Sequence, residues 1–419
     1  MQEFIMHNSE SSTPLLSSSS NTITIKSSGF RWMVLLGLSA QNTLSGILWI
    51  ALAPVANHAI SYYCMTAYSL NAINLIFPFT TVLVGLFTAA SIDIFGVRYV
   101  LGTGILCNLT CAFLRLTSTW MTKSSSRFAL LIVAQIIASI AQPFCLFAPT
   151  KLALVWFPDT QRTTATTLAS LANSFGVLIG SAYPPLLVKQ PSDIPSLEAS
   201  IFGIAVFVAL LTLPAFWRGN RFLAFHTWIV LKNRGFLLLA FGFATGLAYF
   251  TTVSALFQQM LCSTGYSNEF AGLCGALMIG GGIFVAFLVS IIVGKTGSIL
   301  YGIKVVFYSL GAIGFSVTIQ FPGRAMLIAF FVLWFGGFGF SIYGLSLEMA
   351  AEATYPVPEM VTTGFMLMLS QLLSIISIML MQVFAPVIRD SRLQTCGPDA
   401  LVKVSHIQLQ LQWFSQFVA

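Results

Sequence analysis

Four side chains able to recognise a small polar molecule stand inside otherwise apolar runs: Trp49, Gln142, Tyr249 and Gln371. An aromatic face attracts cations, most strongly a poorly hydrated quaternary ammonium. A carboxamide left in hydrocarbon is costly, so Gln142 and Gln371 must face the protein interior, a partner or water. The hydroxyl of an amino alcohol would satisfy them. Trp49 and Tyr249 are 200 positions apart (249 minus 49), so a two-fold repeat would set their rings across a central cavity. A plainer reading stands beside this one, because membrane Gln commonly bonds a neighbouring helix and Trp commonly sits in an interfacial belt.

Nothing in the chain points to covalent chemistry. No phosphate-binding loop, metal-ligand spacing or nucleophile with its base is present, so neither an enzyme nor a cofactor is expected, and ATP drive is not expected either. The centres of the apolar runs carry no Asp or Glu, the residues that proton-coupled carriers use as relays. Movement down a gradient is the expectation.

The elements that must hold these residues are helices in lipid. Charged residues make up 7% of the 419 and hydrophobic ones 57%, which excludes an ordinary soluble domain. Eleven apolar stretches, near 33–56, 72–93, 99–118, 129–150, 163–187, 197–216, 235–260, 270–293, 299–320, 326–349 and 361–386, are each long enough to cross a bilayer. They lack the alternation of a barrel, so the expected fold class is an all-α polytopic membrane protein. With the amino terminus in the cytosol, eleven basic residues from Lys26 to Lys304 fall inside. Only Lys123, Arg127, Lys189 and Arg324 fall in outer loops before the last span, as the positive-inside rule requires. The net charge of +7 is scattered through short loops, so topology explains it and nucleic acid is not an expected partner.

The expected organisation is a disordered cytosolic tail (1–30), a six-helix bundle (31–217), a basic cytosolic linker (218–234), a second bundle of five spans (235–388) and a non-spanning tail (389–419). Gln408, Gln410, Gln412 and Gln416 keep the tail from being read as a twelfth helix. No signal peptide is read at the start. Glu10 before Pro14-Leu15-Leu16 approximates an acidic dileucine signal, or belongs to a plain disordered tail. Cys262 and Cys274 are expected to be free thiols, Arg115 is expected to snorkel to the outer interface, and Glu348 and Glu352 are expected to be structural or gating. Gly176 and Gly180, like Gly336, Gly337, Gly339 and Gly344, offer small surfaces for close helix approach.

Internal echoes support two parallel repeats. Asp93 to Gly96 is matched by Gly294 to Gly297, and Phe157-Pro158 by Tyr355-Pro356, at offsets near 200. The loop holding Asp93, Gly96 and Arg98 resembles the signature between spans two and three of the major facilitator superfamily, in which the acid, glycine and arginine form a cytosolic gate. Ala89, Ile94 and Val97 depart from that pattern. The resemblance implies two pseudo-symmetric helix bundles, here with the twelfth helix apparently missing.

A closer resemblance is carried by the segment Leu48 to Asn57, by Ala141 to Phe144 followed by Trp156-Phe157-Pro158, and by Gly272-Leu273-Cys274-Gly275-Ala276-Leu277. Over about Arg31 to Cys396 the chain resembles solute carrier family 49, which contains the feline leukaemia virus subgroup C receptors. That family implies a carrier of choline or ethanolamine, with haem export also attributed to it. Its central site, carried over by local pattern, falls on Trp49, Gln142, Tyr249 and Gln371. The expected partners are a small organic solute and the bilayer, in the plasma or endolysosomal membrane. A haem or porphyrin exporter, and a non-transporting receptor or scaffold that keeps the fold, remain alternatives.

Overall fold

In lipid the backbone must satisfy its own hydrogen bonds, and the chain does so with helices. The computed structural model describes residues 29–218, 234–262, 264–285, 297–321, 323–354 and 359–384. Helix α1 (Phe30–Ile50) ends before a 3-10 turn at Ala53–Val55, where Pro54 has no N–H to continue the ladder. A short α2 (Ala56–Tyr63) completes the crossing. Helix α3 (Ala67–Ser118) opens on Thr66, whose hydroxyl accepts from the Ser69 N–H at 3.2 Å. It contains two spans joined at Gly96, whose φ of 74° and ψ of −175° belong to a backbone region that a side chain rarely tolerates. Helices α4 (Ser124–Trp156), α5 (Asp159–Leu187) and α6 (Ile194–Arg218) finish the first half.

The second half contains α7 (Arg234–Cys262), α8 (Asn268–Ala276), α9 (Gly297–Thr318), α10 (Ala325–Ala353) and α11 (Glu359–Phe384). A π-helical turn, Leu277–Gly281, extends α8. Among the described residues, ten helical segments are long and apolar enough to cross a membrane, and Lys304–Thr318 is a shorter apolar one. Each of the eleven expected spans therefore finds a helix. The expected linker, nearly all of the amino-terminal tail, the carboxy-terminal tail and the second copies of the repeat motifs lie outside the described residues.

Helix α1 packs on α5 and α6, α3 on α4 and α6, and α11 on α7, while the two halves meet along α5–α8 and α3–α11. Glycine sets the closest approaches. A Cβ on Gly176 would stand 2.0 Å from the Thr43 carbonyl oxygen, and one on Gly336 would stand 1.9 Å from that of Met278. Two apolar clusters form the interior. One contains Trp49, Phe77, Val177 and Tyr308, the other Phe243 and Leu367 toward the cytosolic ends.

Two expectations need correction. Arg115 does not snorkel: it is fully buried against an equally buried Glu198, with Nε to Oε2 and Nη2 to Oε1 both 2.8 Å. A guanidinium this deep must be paired, and the acid that pairs it arrives three spans later. Cys274 is a free thiol, but Cys262 is disulfide-bonded rather than free.

Candidate functional site: a mid-membrane cavity between the halves

A cavity of about 470 Å³ lies where the two apolar clusters meet. Its wall draws on both halves: Trp49, Phe77, Gln142 and Asn173 from the first, Phe250, Tyr308, Phe340 and Gln371 from the second. Among the described residues, no Asp, Glu, Lys, Arg or His lines it. A cation entering it meets ring faces and neutral dipoles, and an anion meets no opposing charge.

Trp49 owes its place to the break in the first span. It is the second-last residue of α1, is 7% exposed, and donates from Nε1 to the Asn74 carbonyl at 3.2 Å. Gln142, on α4 beside the Pro143 that loosens that helix, accepts a hydrogen bond at Oε1 from the Ser45 hydroxyl. Gln371 is half-buried on α11 and lines the cavity from the other half.

Tyr249 stands elsewhere. It is not among the lining residues: its hydroxyl pairs with that of Ser316 at 3.3 Å and its ring meets Phe335 edge-on at 5.5 Å. One residue along an α-helix turns the side chain by ~100°. On α7 that step gives the wall Phe250 instead. Two tyrosines do line it, Tyr343 and Tyr308; the Tyr308 hydroxyl donates to the Gly246 carbonyl at 2.8 Å and its ring stacks on Phe335 at 4.7 Å. An amphipathic aromatic in the middle of an apolar span was the available signal for Tyr308.

On the side that the basic loops assign to the cytosol, Gly96 makes the reversal and the Arg98 guanidinium lies 5.0 Å over the Phe216 ring of α6. The side chain of Asp93, and those of Glu348 and Glu352, lie outside the described residues. On the opposite side, amides join the halves. Asn71 and Gln259 exchange two hydrogen bonds, at 3.1 and 2.6 Å. Asn268 donates to Asn57 at 2.7 Å and accepts from Gln258 at 2.9 Å. An exposed ion pair, Lys189 with Glu269, lies at the rim. None of these contacts was anticipated, since an amide pair between distant spans leaves no local pattern.

The profile of the Major Facilitator Superfamily matches residues 35–381. Solute carrier family 49 member A3 of Danio rerio is 32% identical over 384 residues, covering 85% of this chain and 78% of that protein. The choline/ethanolamine transporter FLVCR2 of Rattus norvegicus is 26% identical, covering 84% and 69%. Among solved structures, the D-xylose-proton symporter superposes with a TM-score of 0.65 at 11% identity, covering 83% of this chain and 88% of that one. At that identity the likeness speaks for the fold alone. The superfamily profile over residues 35–381 and the relative at 32% identity place the chain in the major facilitator superfamily and, within it, in solute carrier family 49.

Proposed function

We propose that this chain moves a small organic amine of the choline or ethanolamine kind across the membrane by alternating access, binding it between Trp49, Gln142 and Gln371. The observation that carries the reading is the composition of the cavity wall: aromatic faces and neutral amides from both halves, with no charged side chain among the described residues. The ammonium would rest against Trp49 and the rings of Tyr308 and Phe250. Its hydroxyl would meet the carboxamides. Tyr249 then acts from behind the wall, through Phe335, and Asp93, Gly96 and Arg98 form the cytosolic gate. With no acid among the described residues of the wall, transport follows the gradient and the membrane potential.

The same wall argues against a porphyrin. Among the described residues it offers no His, Cys or Met to an iron and no Lys or Arg to a propionate. The test is uptake of labelled choline and ethanolamine by cells expressing this chain, in the plasma membrane or in isolated endolysosomes, beside Trp49→Ala and Gln371→Ala at matched abundance. Saturable uptake that falls at least about tenfold in either variant supports the reading. Equal background in all three removes the amine.

A further inference from the structure

The buried pair of Arg115 and Glu198 is not among the residues lining this cavity, yet it reaches the cavity through one atom. Two nitrogens of the Arg115 fork are taken by Glu198, and the third, Nη1, donates to the carbonyl oxygen of Leu48 at 3.0 Å. Gln135 Nε2 approaches the same oxygen at 3.4 Å. Leu48 directly precedes Trp49 and belongs to the last turn of α1, whose carbonyls an α-helix leaves without an intrahelical partner. On its far side, Trp49 is tied through its indole N–H to Asn74. The residue is thus held twice: by its backbone from the second span of α3, and by its ring from the first. A planar fork suits this role, because it can grip a carboxylate in two places and still aim a third donor. An ammonium cannot.

We propose that Arg115 and Glu198 are positioning residues for the cavity: they fix the backbone at the break in the first span and so hold the Trp49 indole in one orientation. The inference rests on the reading of Trp49 as a solute contact. Every anchor belongs to the same half as Trp49, so the arrangement travels intact when the halves rock.

The test uses the full chain labelled with 5-fluorotryptophan and read by fluorine NMR, with the Trp49 line identified by its loss in Trp49→Phe. The double variant Arg115→Met with Glu198→Met removes both charges without stranding either. Its Trp49 line is expected to shift and broaden while that of Trp334, bonded to Phe307 in the other half, stays in place. KM for labelled choline is expected to rise about tenfold with Vmax within about twofold. Arg115→Lys, which keeps the charge and loses the fork, shifts the same line less and decides the question if the double variant does not accumulate. An unmoved Trp49 line overturns the proposal. A line that moves in a protein that never takes up choline upholds the positioning role and removes the amine instead.

Discussion

Between α1, α3 and α6, Gln41 donates to Thr212 at 3.1 Å and accepts from Asn108 at 3.0 Å, while Asn42 reaches the carbonyls of Cys145 and Ala169 on α4 and α5. In the other half, between α7, α9 and α10, the interior is filled with rings: Tyr249, Phe250 and Tyr308 surround Phe335, and Phe307 stacks on Phe338 at 5.1 Å. The glycine contacts differ too, joining α1 to α5 in the first half and α8 to α10 in the second. Interhelical hydrogen bonds in membranes average only ~0.6 kcal/mol, and aromatic pairs add ~0.5–1.5 kcal/mol, so strength does not separate the halves. Direction does. A lattice of donors and acceptors permits one geometry, whereas packed rings permit small slides. Two halves of similar topology thus give the cavity a fixed wall and a more adaptable one.

The sharpest way to break this contrast is to strand a charge in the half that depends on polar pairing. Glu198→Ala leaves Arg115 buried alone and is expected to cost about 3–5 kcal/mol, seen as loss of a folded peak in size-exclusion and of the thermal transition in detergent. The steric contrast comes next. Gly336→Ala drives a methyl into the Met278 carbonyl and is expected to cost about 1–3 kcal/mol, whereas Gly364→Ala meets nothing within 4 Å and should be neutral or slightly stabilising in the same melt.

Tyr249→Phe is a smaller change that sharpens the comparison. It removes one hydroxyl pair with Ser316 for about 1 kcal/mol or less and should leave choline KM unchanged. A several-fold rise in KM would move Tyr249 from behind the wall to the solute. Smallest is Lys189→Gln at the exposed rim, worth about 0–1 kcal/mol and detectable only at low salt, as faster labelling of a cysteine placed at Asn57 on the outer side.

The spans were legible because lipid leaves a chain few options, and apolar length alone finds them. Trp49, Gln142 and Gln371 were legible for a related reason: polar or amphipathic side chains at mid-span must face inward. Tyr249 meets the same criterion and still misses the cavity, since span membership does not fix rotation about the helix axis. Rotation is set by neighbours such as Phe335 and Ser316, which lie 86 and 67 positions away (335 minus 249; 316 minus 249). Arg115 was misread for a similar reason: near a helix end and without its partner, a long cation is expected at the interface. Glu198 begins the sixth span and carries no mark of the third.

That separation has a consequence for synthesis. Glu198 leaves the ribosome 83 residues after Arg115, a delay of ~4–17 s at ordinary elongation rates. Throughout that interval the arginine lacks the acid that pairs it. Its place near the outer end of its helix lets it wait with its guanidinium among headgroups, as an isolated arginine would, and withdraw when the sixth span docks. The pair therefore predicts an order of assembly, in which the third span enters the bilayer early and settles late. Chains arrested before residue 198 should leave the thiol of a Ser118→Cys variant, with Arg115 intact, open to a water-soluble reagent, and chains arrested well beyond the sixth span should protect the same thiol. Equal labelling at both lengths would show that the helix reaches its final depth without its partner.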